Sequence, residues 1–97
     1  MILPYCVYIL FSKRDFKLYI GYSSNLKARI KDHNDGGTTS TSKRRPLILI
    51  YCEYHRSKID AMRREKYFKT TAGKKAIKLM LRDSLKQRNY RKANSTF

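Results

Sequence analysis

The stretch YCVYILFSKRDFKLYIG, residues 5–21, contains two short apolar segments separated by a polar turn. The segments YCVYILF and LYIG are rich in aromatic and β-branched residues, so the pattern predicts a β-hairpin. The turn is predicted to centre on Lys13 and Arg14. Symmetric pairing then places Tyr8 opposite Tyr19, so that the two tyrosines share one face of the sheet. A slip of one residue would send them to opposite faces, which makes this prediction dependent on register.

The segment after the hairpin predicts a helix with Ser23 or Ser24 as its N-cap. Apolar residues recur there at intervals of three and four, which is the helical period. Arg29 and His33 lie one turn apart and flank the apolar stripe. We therefore expect both side chains to lie next to the sheet.

A polar loop and a third strand are predicted to follow. Residues 34–46 are rich in Gly, Ser, Thr and basic side chains, which suits either contact with a phosphate backbone or a disordered connector. Thr38, Thr39 and Ser40 are candidates for DNA contact under the first alternative. Residues 47–54 (LILIYCEY) are apolar on both faces, which predicts the central strand of a three-stranded sheet.

A capping box at Ser57 and Asp60 predicts the start of another helix. Glu65 falls on the packing stripe of this helix, where a carboxylate is costly unless it is paired or bound to a cation. A metal ion and a salt bridge to Arg29 or a lysine both remain open as its partner. Gly73 is predicted to end the helix.

The predicted fold class is α+β, with a small three-stranded antiparallel sheet flanked by about three helices. The last helix is expected over residues 74–86. Residues 1–88 are predicted to form one domain, followed by a basic, flexible tail at 89–97. Cys6 and Cys52 lie in apolar segments without metal-ligand spacing, so we expect buried free thiols.

Charge is the strongest feature of the composition. The chain has 23 Lys and Arg against 7 Asp and Glu, a formal net charge of +16 on 97 residues. Such self-repulsion favours a polyanionic partner, with DNA or RNA ahead of an anionic membrane. No segment has the length or pattern of a membrane span or signal peptide, so we expect a soluble cytoplasmic protein, associated with the nucleoid if bacterial.

Four segments in a fixed order resemble one family. They are CVY at 6–8, YIG at 19–21, NLKARIKDH at 25–33 and AMRREKYFK at 61–69. Together they are similar to the GIY-YIG nuclease domain, especially its small stand-alone branch related to the nuclease module of the bacterial excision-repair incision enzyme. The resemblance implies an endonuclease that hydrolyses DNA with one divalent metal, Mg²⁺ or Mn²⁺. The biological setting stays open between DNA repair, mobile-element defence and recombination.

The resemblance also implies roles for particular residues. It implies a catalytic site made of Tyr8, Tyr19, Arg29, His33 and Glu65, with Glu65 as the metal ligand and Gly21 as a structural part of the second motif. Two positions depart from the family pattern. Cys6 stands where the family has glycine, and residues 77–80 lack the asparagine that some members carry after the glutamate.

The chemistry of phosphodiester hydrolysis fits these residue types. It needs an activated water, a cation near the developing charge and help for the leaving oxygen. Arg29 can bind a phosphate bidentately, and the general base is Tyr8, Tyr19 or His33. A tyrosine base needs nearby positive charge, because its unperturbed pKa is about 10. The residues expected to contact the DNA backbone are Lys27, Lys31, Lys43, Arg44 and Arg45.

Two other function classes stay open on the sequence. One is a nucleic-acid-binding module, for DNA or structured RNA, that keeps the fold without turnover. The other is an RNA or ribosome binder, which fits the charge but gives no reason for Glu65 on a packing stripe. The sequence has no zinc finger or helix-turn-helix, so specificity is expected to be weak, directed to branched or damaged DNA, or supplied by a partner. We expect a monomer or a weak homodimer.

Overall fold

A computed structural model describes residues 3–87, which form an antiparallel sheet covered by helices on both faces. The strands are β1 (Tyr5–Ser12), β2 (Leu18–Ser23) and β3 (Leu47–His55), in the order β2-β1-β3. The prediction that residues 47–54 form the central strand is therefore wrong. The central strand is β1, whose residues 6–12 are all buried, whereas β3 is mostly half-buried at the edge.

The hairpin register differs from the symmetric prediction by two residues. Tyr8 pairs with Gly21, and Tyr19 pairs with Leu10. Direct opposition of the tyrosines is therefore wrong. Their shared face is confirmed, because side chains alternate with a period of two and a shift of two preserves the face. The two rings lie diagonally, with centroids 6.4 Å apart.

The cause of the shift is a longer hairpin loop. The amide of Phe16 donates to the Ser12 carbonyl at 2.9 Å, and the amide of Ser12 donates to the Lys17 carbonyl at 3.0 Å. The buried Ser12 hydroxyl accepts from the amides of Arg14 and Asp15. Phe16 turns the chain with a left-handed φ of 60°. A side chain that organises its own loop in this way competes with the tighter turn.

The helices are α1 (Leu26–Asp35), α2 (Lys58–Phe68), α3 (Thr71–Met80) and the short α4 (Arg82–Gln87). The predicted Ser57 cap is confirmed, because its hydroxyl accepts from the Asp60 amide. The predicted serine cap of α1 is wrong: Asn25 is the N-cap and accepts from the Ala28 amide.

The end of the chain also departs from prediction. Gly73 does not end a helix but lies in the first turn of α3, where a Cβ would overlap the Tyr67 carbonyl. The predicted single helix at 74–86 is two helices, divided at Leu81. The side chains of Ile77, Leu81 and Leu85 all lie in the core. The predicted tail at 89–97 lies outside the described residues.

Each face of the sheet has its own core. Val7, Ile9 and Phe11 pack against the face covered by α2, α3 and α4. Tyr8 and Leu10 lie on the opposite face with Leu26 and Ile30 of α1. The second core brings α1, with its arginine and histidine, onto the face that carries both tyrosines.

The two cysteines are free, as predicted, with Cys6 buried and Cys52 half-buried. Burial, and next the neighbouring Cys52, raise the pKa of the Cys6 thiol to about 11, which keeps it protonated and unreactive at neutral pH. Among the helices of residues 3–87, none combines the length and apolar character needed to cross a membrane.

Candidate active site

The centre of the site is a hydrogen bond between the central strand and α1. The Tyr8 hydroxyl lies 2.8 Å from His33 Nε2, and neither residue has accessible surface. Burial disfavours the charged imidazolium, so it lowers the pKa of His33, and the positive charge of Arg29 lowers it further against an opposing effect of Asp32. His33 is therefore neutral at physiological pH and can accept a proton.

Tyr8 is held in its protonated form by the same environment. Burial raises its pKa to about 12, and the neighbouring Tyr19 and the negative charge of Glu65 act in the same direction. The Arg29 guanidinium opposes this rise as a hydrogen-bond donor and a positive charge beside the hydroxyl. Tyr8 thus needs an acceptor to lose its proton at neutral pH, and His33 is in contact with it.

Arg29 is the half-exposed member of the group. Its side chain keeps 42% of its accessible surface and lies 3.7 Å from the Asp32 carboxylate. Asn25 caps the helix that carries it, so α1 holds Arg29 and His33 one turn apart on the face towards the sheet. A guanidinium in this position can receive a phosphate from solvent.

Two motif residues shape the pocket around Tyr8. Tyr19 lies edge-on to His33, with ring centroids 4.9 Å apart. Gly21 pairs with Tyr8 in the sheet, and a Cβ at position 21 would overlap the Tyr8 ring and hydroxyl. The absence of a side chain at Gly21 is therefore what allows the tyrosine to extend across β2.

Glu65 approaches the site from the other side of the sheet. It lies on α2, and its carboxylate is near enough for its charge to raise the pKa of Tyr8. The carboxylate pairs with the Lys69 amine at 3.1 Å, and the Glu65 side chain is 22% exposed. The sequence left a metal ion and a salt bridge open as partners of Glu65. The structure contains the salt bridge, formed with Lys69 at a spacing that is common on helix surfaces.

A metal ion at Glu65 is compatible with this donor set. Within residues 3–87, no three His, Cys, Asp or Glu side chains converge on one point. That excludes a cage of protein ligands in this part of the chain, but Mg²⁺ keeps several waters and takes few protein ligands. One accessible carboxylate and a substrate phosphate would together supply the few ligands other than water that Mg²⁺ usually takes.

The expected phosphate-contacting residues fall into two groups. Lys27, Lys43 and Arg45 are exposed on α1 and the following loop, and Lys31 is exposed but paired with Asp35 at 2.6 Å. Arg44 is different, because its Nε donates to Asp15 at 2.6 Å and its side chain is 24% exposed. Arg44 therefore connects the loop to the hairpin, and its contact with DNA stays a prediction.

Sequence reasoning missed Thr41. Its hydroxyl lies 2.7 Å from His33 Nδ1 and it is completely buried. A threonine among exposed serines, threonines and glycines has no local pattern that distinguishes it. The missing signal is tertiary, since it depends on how the loop folds back over α1.

The polar residues at the end of β3 and in the loop after α1 differ in their surroundings. His55 is 2.7 Å from Glu53, whose carboxylate also accepts from Arg64 and Tyr51. This cluster fastens α2 to the edge strand. Thr38 bonds to the Asp32 carboxylate at 2.7 Å, while Thr39 and Ser40 are exposed.

Comparison with known proteins shows the family of the chain. The GIY-YIG catalytic domain family matches residues 4–78. A UPF0213 protein of Clostridium perfringens is 41% identical over 87 residues, which cover 89% of this chain and 92% of that protein. A UPF0213 protein of Staphylococcus haemolyticus is 45% identical over 75 residues, covering 76% of this chain and 90% of that protein.

A solved structure agrees with the fold. The solution NMR structure of a UPF0213 protein from Bacillus halodurans matches with a TM-score of 0.52 and 32% sequence identity. The match covers 95% of this chain and 98% of the other. The predicted α+β fold with a three-stranded antiparallel sheet is thereby confirmed, with four helices in place of about three.

Proposed function

Because the chain belongs to the GIY-YIG nuclease family, together with the small stand-alone UPF0213 proteins, we propose that it is a metal-dependent DNA endonuclease. The proposed reaction is hydrolysis of a phosphodiester bond at the site formed by Tyr8, Arg29, His33 and Glu65. The observation that carries the proposal is the 2.8 Å contact between Tyr8 and neutral His33 beside a half-exposed guanidinium.

The proton path follows from the hydrogen bond. In the proposed path the Tyr8 hydroxyl donates to His33 Nε2, so that His33 takes the tyrosine proton while Tyr8 takes one from the attacking water. The water oxygen then forms a bond to phosphorus as the bond to the leaving oxygen breaks. Arg29 stabilises negative charge on both the tyrosine oxygen and the phosphate. Tyr8 is thus the base that contacts water, and His33 is its proton acceptor.

Access to Tyr8 depends on Arg29. Tyr8 has no accessible surface, whereas the adjacent arginine side chain is 42% exposed. A phosphate that binds Arg29 in bidentate fashion draws the guanidinium outwards, which opens the tyrosine hydroxyl to water. Binding of DNA therefore precedes exposure of the base.

Glu65 would hold the divalent metal, Mg²⁺ or Mn²⁺. When bound, the ion supplies positive charge for the phosphate oxygens and the leaving group. The Glu65 carboxylate exchanges its lysine partner for the ion at small cost, because an exposed pair of this kind contributes only about 0.3–0.5 kcal/mol.

DNA is the proposed partner, and the cytoplasm is the proposed location. The exposed cations Lys27, Lys43 and Arg45 lie on the elements that adjoin the site and can contact the sugar-phosphate backbone without reading sequence. Branched or damaged DNA is the substrate class we favour, since an opened duplex lets a phosphate reach a base that is buried in the free protein. Repair is the corresponding setting.

The test is nicking of supercoiled plasmid with Mg²⁺, Mn²⁺ or chelator. Tyr8→Phe and Arg29→Ala should each reduce the rate by about 100-fold or more, as expected for loss of a general base or a charge-stabilising group. Tyr22→Phe and Arg63→Ala are the matched controls, being a tyrosine and an arginine outside the site. Full activity of Tyr8→Phe would show that Tyr8 is not the general base.

The role of Glu65 is tested by a separate pair of variants. Glu65→Gln should abolish metal-dependent cleavage, whereas Asp60→Asn on the same helix should leave it unchanged. If Glu65→Gln keeps wild-type dependence on metal, the metal-ligand assignment is wrong.

A second candidate is a nucleic-acid-binding module without turnover. The complete burial of Tyr8 and His33 favours it, because a base that water never reaches is inert. Tight binding with no cleavage of plasmid, branched DNA or single-stranded RNA in either metal would establish this alternative.

A further inference from the structure

Thr41 is buried although it lies in a polar loop. Its exposure is 0%, whereas every other residue from 36 to 46 keeps some accessible surface. A buried hydroxyl is costly unless it is hydrogen-bonded. Its partners are His33 Nδ1 at 2.7 Å and the Thr38 carbonyl at 3.4 Å.

The two contacts of Thr41 assign the proton on His33. A carbonyl can only accept, so the single hydroxyl proton of Thr41 is donated to Thr38. The oxygen lone pairs of Thr41 then face the imidazole ring. His33 Nδ1 must therefore carry the hydrogen in that contact, and Nε2 is left with a lone pair.

The other end of the chain of hydrogen bonds is compatible with this assignment. The Tyr8 hydroxyl lies 2.8 Å from His33 Nε2, and with hydrogen on Nδ1 this nitrogen is free to accept the tyrosine proton. The positively charged Arg29 acts on the same hydroxyl and can only donate, so it does not compete with His33 as an acceptor.

The loop is fixed so that Thr38 can perform this task. The Thr38 hydroxyl donates to the Asp32 carboxylate at 2.7 Å, and the Gly37 amide donates to the Asp32 carbonyl at 2.9 Å. Asp32 precedes His33 on α1. The carbonyl that receives the Thr41 proton is therefore tied to the same helix turn as the imidazole.

We propose that Thr41 is a positioning residue that holds His33 in the Nδ1-protonated tautomer, so that Nε2 accepts the proton of Tyr8. The catalytic consequence rests on the proposed nuclease function, but the tautomer itself does not. In the opposite tautomer Nε2 would donate to Tyr8, and the tyrosine would then face two donors. The proton transfer would have no acceptor.

The first measurement needs no variant and no activity. Ring nitrogen shifts of ¹⁵N-labelled protein at pH 8 should identify His33 Nδ1 as protonated and Nε2 as unprotonated, with His55 as the second histidine for reference. An Nε2-protonated His33 in the wild-type protein would overturn the proposal.

Variants then separate the hydroxyl from the shape of the side chain. Thr41→Val keeps the volume but removes the acceptor, so His33 should populate both tautomers and nicking should fall by about 10- to 100-fold. Thr41→Ser restores the hydroxyl and should restore the tautomer and most of the rate. The control Thr39→Val changes an exposed threonine of the same loop and should alter neither. An unchanged tautomer in folded Thr41→Val would overturn the role of Thr41.

Failure of the nuclease proposal is distinguishable from failure of this one. If wild-type protein cleaves no nucleic acid but its His33 tautomer depends on the Thr41 hydroxyl, the positioning role stands and the catalytic function falls. If cleavage occurs and is equally fast in Thr41→Val, the nuclease stands and the positioning role falls.

Discussion

The ring of Tyr8 lies over Gly21, its partner on β2, so closely that any Cβ at position 21 would overlap the tyrosine hydroxyl. The contact couples a sheet position without a side chain to the proposed catalytic group on α1. Only with this space can the Tyr8 hydroxyl extend across the neighbouring strand to His33.

Gly21→Ala should therefore damage both stability and activity. Overpacking in a buried site costs about 1–3 kcal/mol, and displacement of the ring should break the bond to His33. Thermal unfolding and plasmid nicking measure the two effects. In a Tyr8→Ala background the same substitution should cost much less, because the ring it meets is gone. An equal cost in both backgrounds would show that the Tyr8 contact is not the cause.

The pKa of His33 should be lower than its ordinary value of about 6.5. Burial contributes most to this lowering and the charge of Arg29 next, while Asp32 acts in the opposite direction. Cleavage that needs neutral His33 should thus persist to lower pH than the ordinary histidine pKa would allow. The titratable and charged groups that face His33 are Tyr8, Tyr19, Arg29 and Asp32.

The contribution of Arg29 can be measured by titration of the His33 ring in NMR spectra. Arg29→Gln removes a nearby positive charge and should move the His33 titration to higher pH. Arg29→Lys keeps the charge and should move it less. A downward movement in Arg29→Gln would contradict the electrostatic assignment.

Lys69 should compete with the metal for Glu65. Its amine lies 3.1 Å from the carboxylate, and an exposed pair at this spacing contributes about 0.3–0.5 kcal/mol, or about twofold in affinity. Lys69→Ala should therefore lower the Mg²⁺ concentration for half-maximal nicking by about twofold. Lys66→Ala removes a charge from the same helix without the ion pair and is the control. Equal effects of the two variants would show that Lys69 does not compete with the metal for Glu65.

The link between Arg44 and Asp15 should matter for stability. The two side chains bond at 2.6 Å and 3.4 Å, and Arg44 also donates to the Leu18 carbonyl. Arg44→Gln should reduce the free energy of unfolding by about 1–2 kcal/mol at pH 7. Arg63→Gln, which breaks a highly exposed pair with Asp60, should cost much less.

The effect of Arg44 should depend on pH with a defined sign. Burial raises the pKa of Asp15, but the hydrogen bonds and charge of its partners, Arg44 above all, outweigh burial and bring it below its usual value. The stabilisation is therefore complete above pH about 4 and is lost as pH falls through the folded-state value. The difference between wild type and Arg44→Gln should shrink in acid. If the difference in the free energy of unfolding stayed constant with pH, packing of the Arg44 side chain would be its cause.

Exposed cations near the site should determine the salt dependence of DNA binding. Replacement of Lys27 or Lys43 by Gln should reduce the slope of log K against log salt by about 0.9 for each phosphate that the variant no longer neutralises. Lys75 lies exposed on α3, on the other side of the sheet, and Lys75→Gln should leave the slope unchanged. Equal changes in all three variants would indicate a diffuse charge effect.

The parts of the site that local patterns encode were predictable. Helical spacing places Arg29 and His33 on one face, and strand periodicity places Tyr8 and Tyr19 together. That pairing holds despite an incorrect register only because the slip is two residues. The position of Glu65 near Tyr8 follows from tertiary packing of α2, for which its own helix carries no signal.

The errors arise where tertiary context decides. Residues 47–54 are as apolar as a central strand, yet β1 takes that place because both cores form around it. Arg44 and Thr41 have the composition of a solvated loop, but one is engaged by Asp15 and the other by His33. Such contacts join residues distant in sequence, so composition and periodicity contain no trace of them.

The outer edge of β3 has a consequence for the behaviour of the protein in solution. Within residues 3–87 this strand pairs only with β1. The Asn34 side chain bonds the backbone N–H and carbonyl of Leu47 at the start of the strand, and no other strand covers the outer edge beyond it, where Glu53 and His55 are the acidic and basic side chains. Exposed edges of this kind tend to join one molecule to another. The net charge of +16 keeps copies apart, and salt weakens that repulsion. High salt is commonly used to reduce the non-specific association of basic proteins. For this protein it is instead expected to promote self-association.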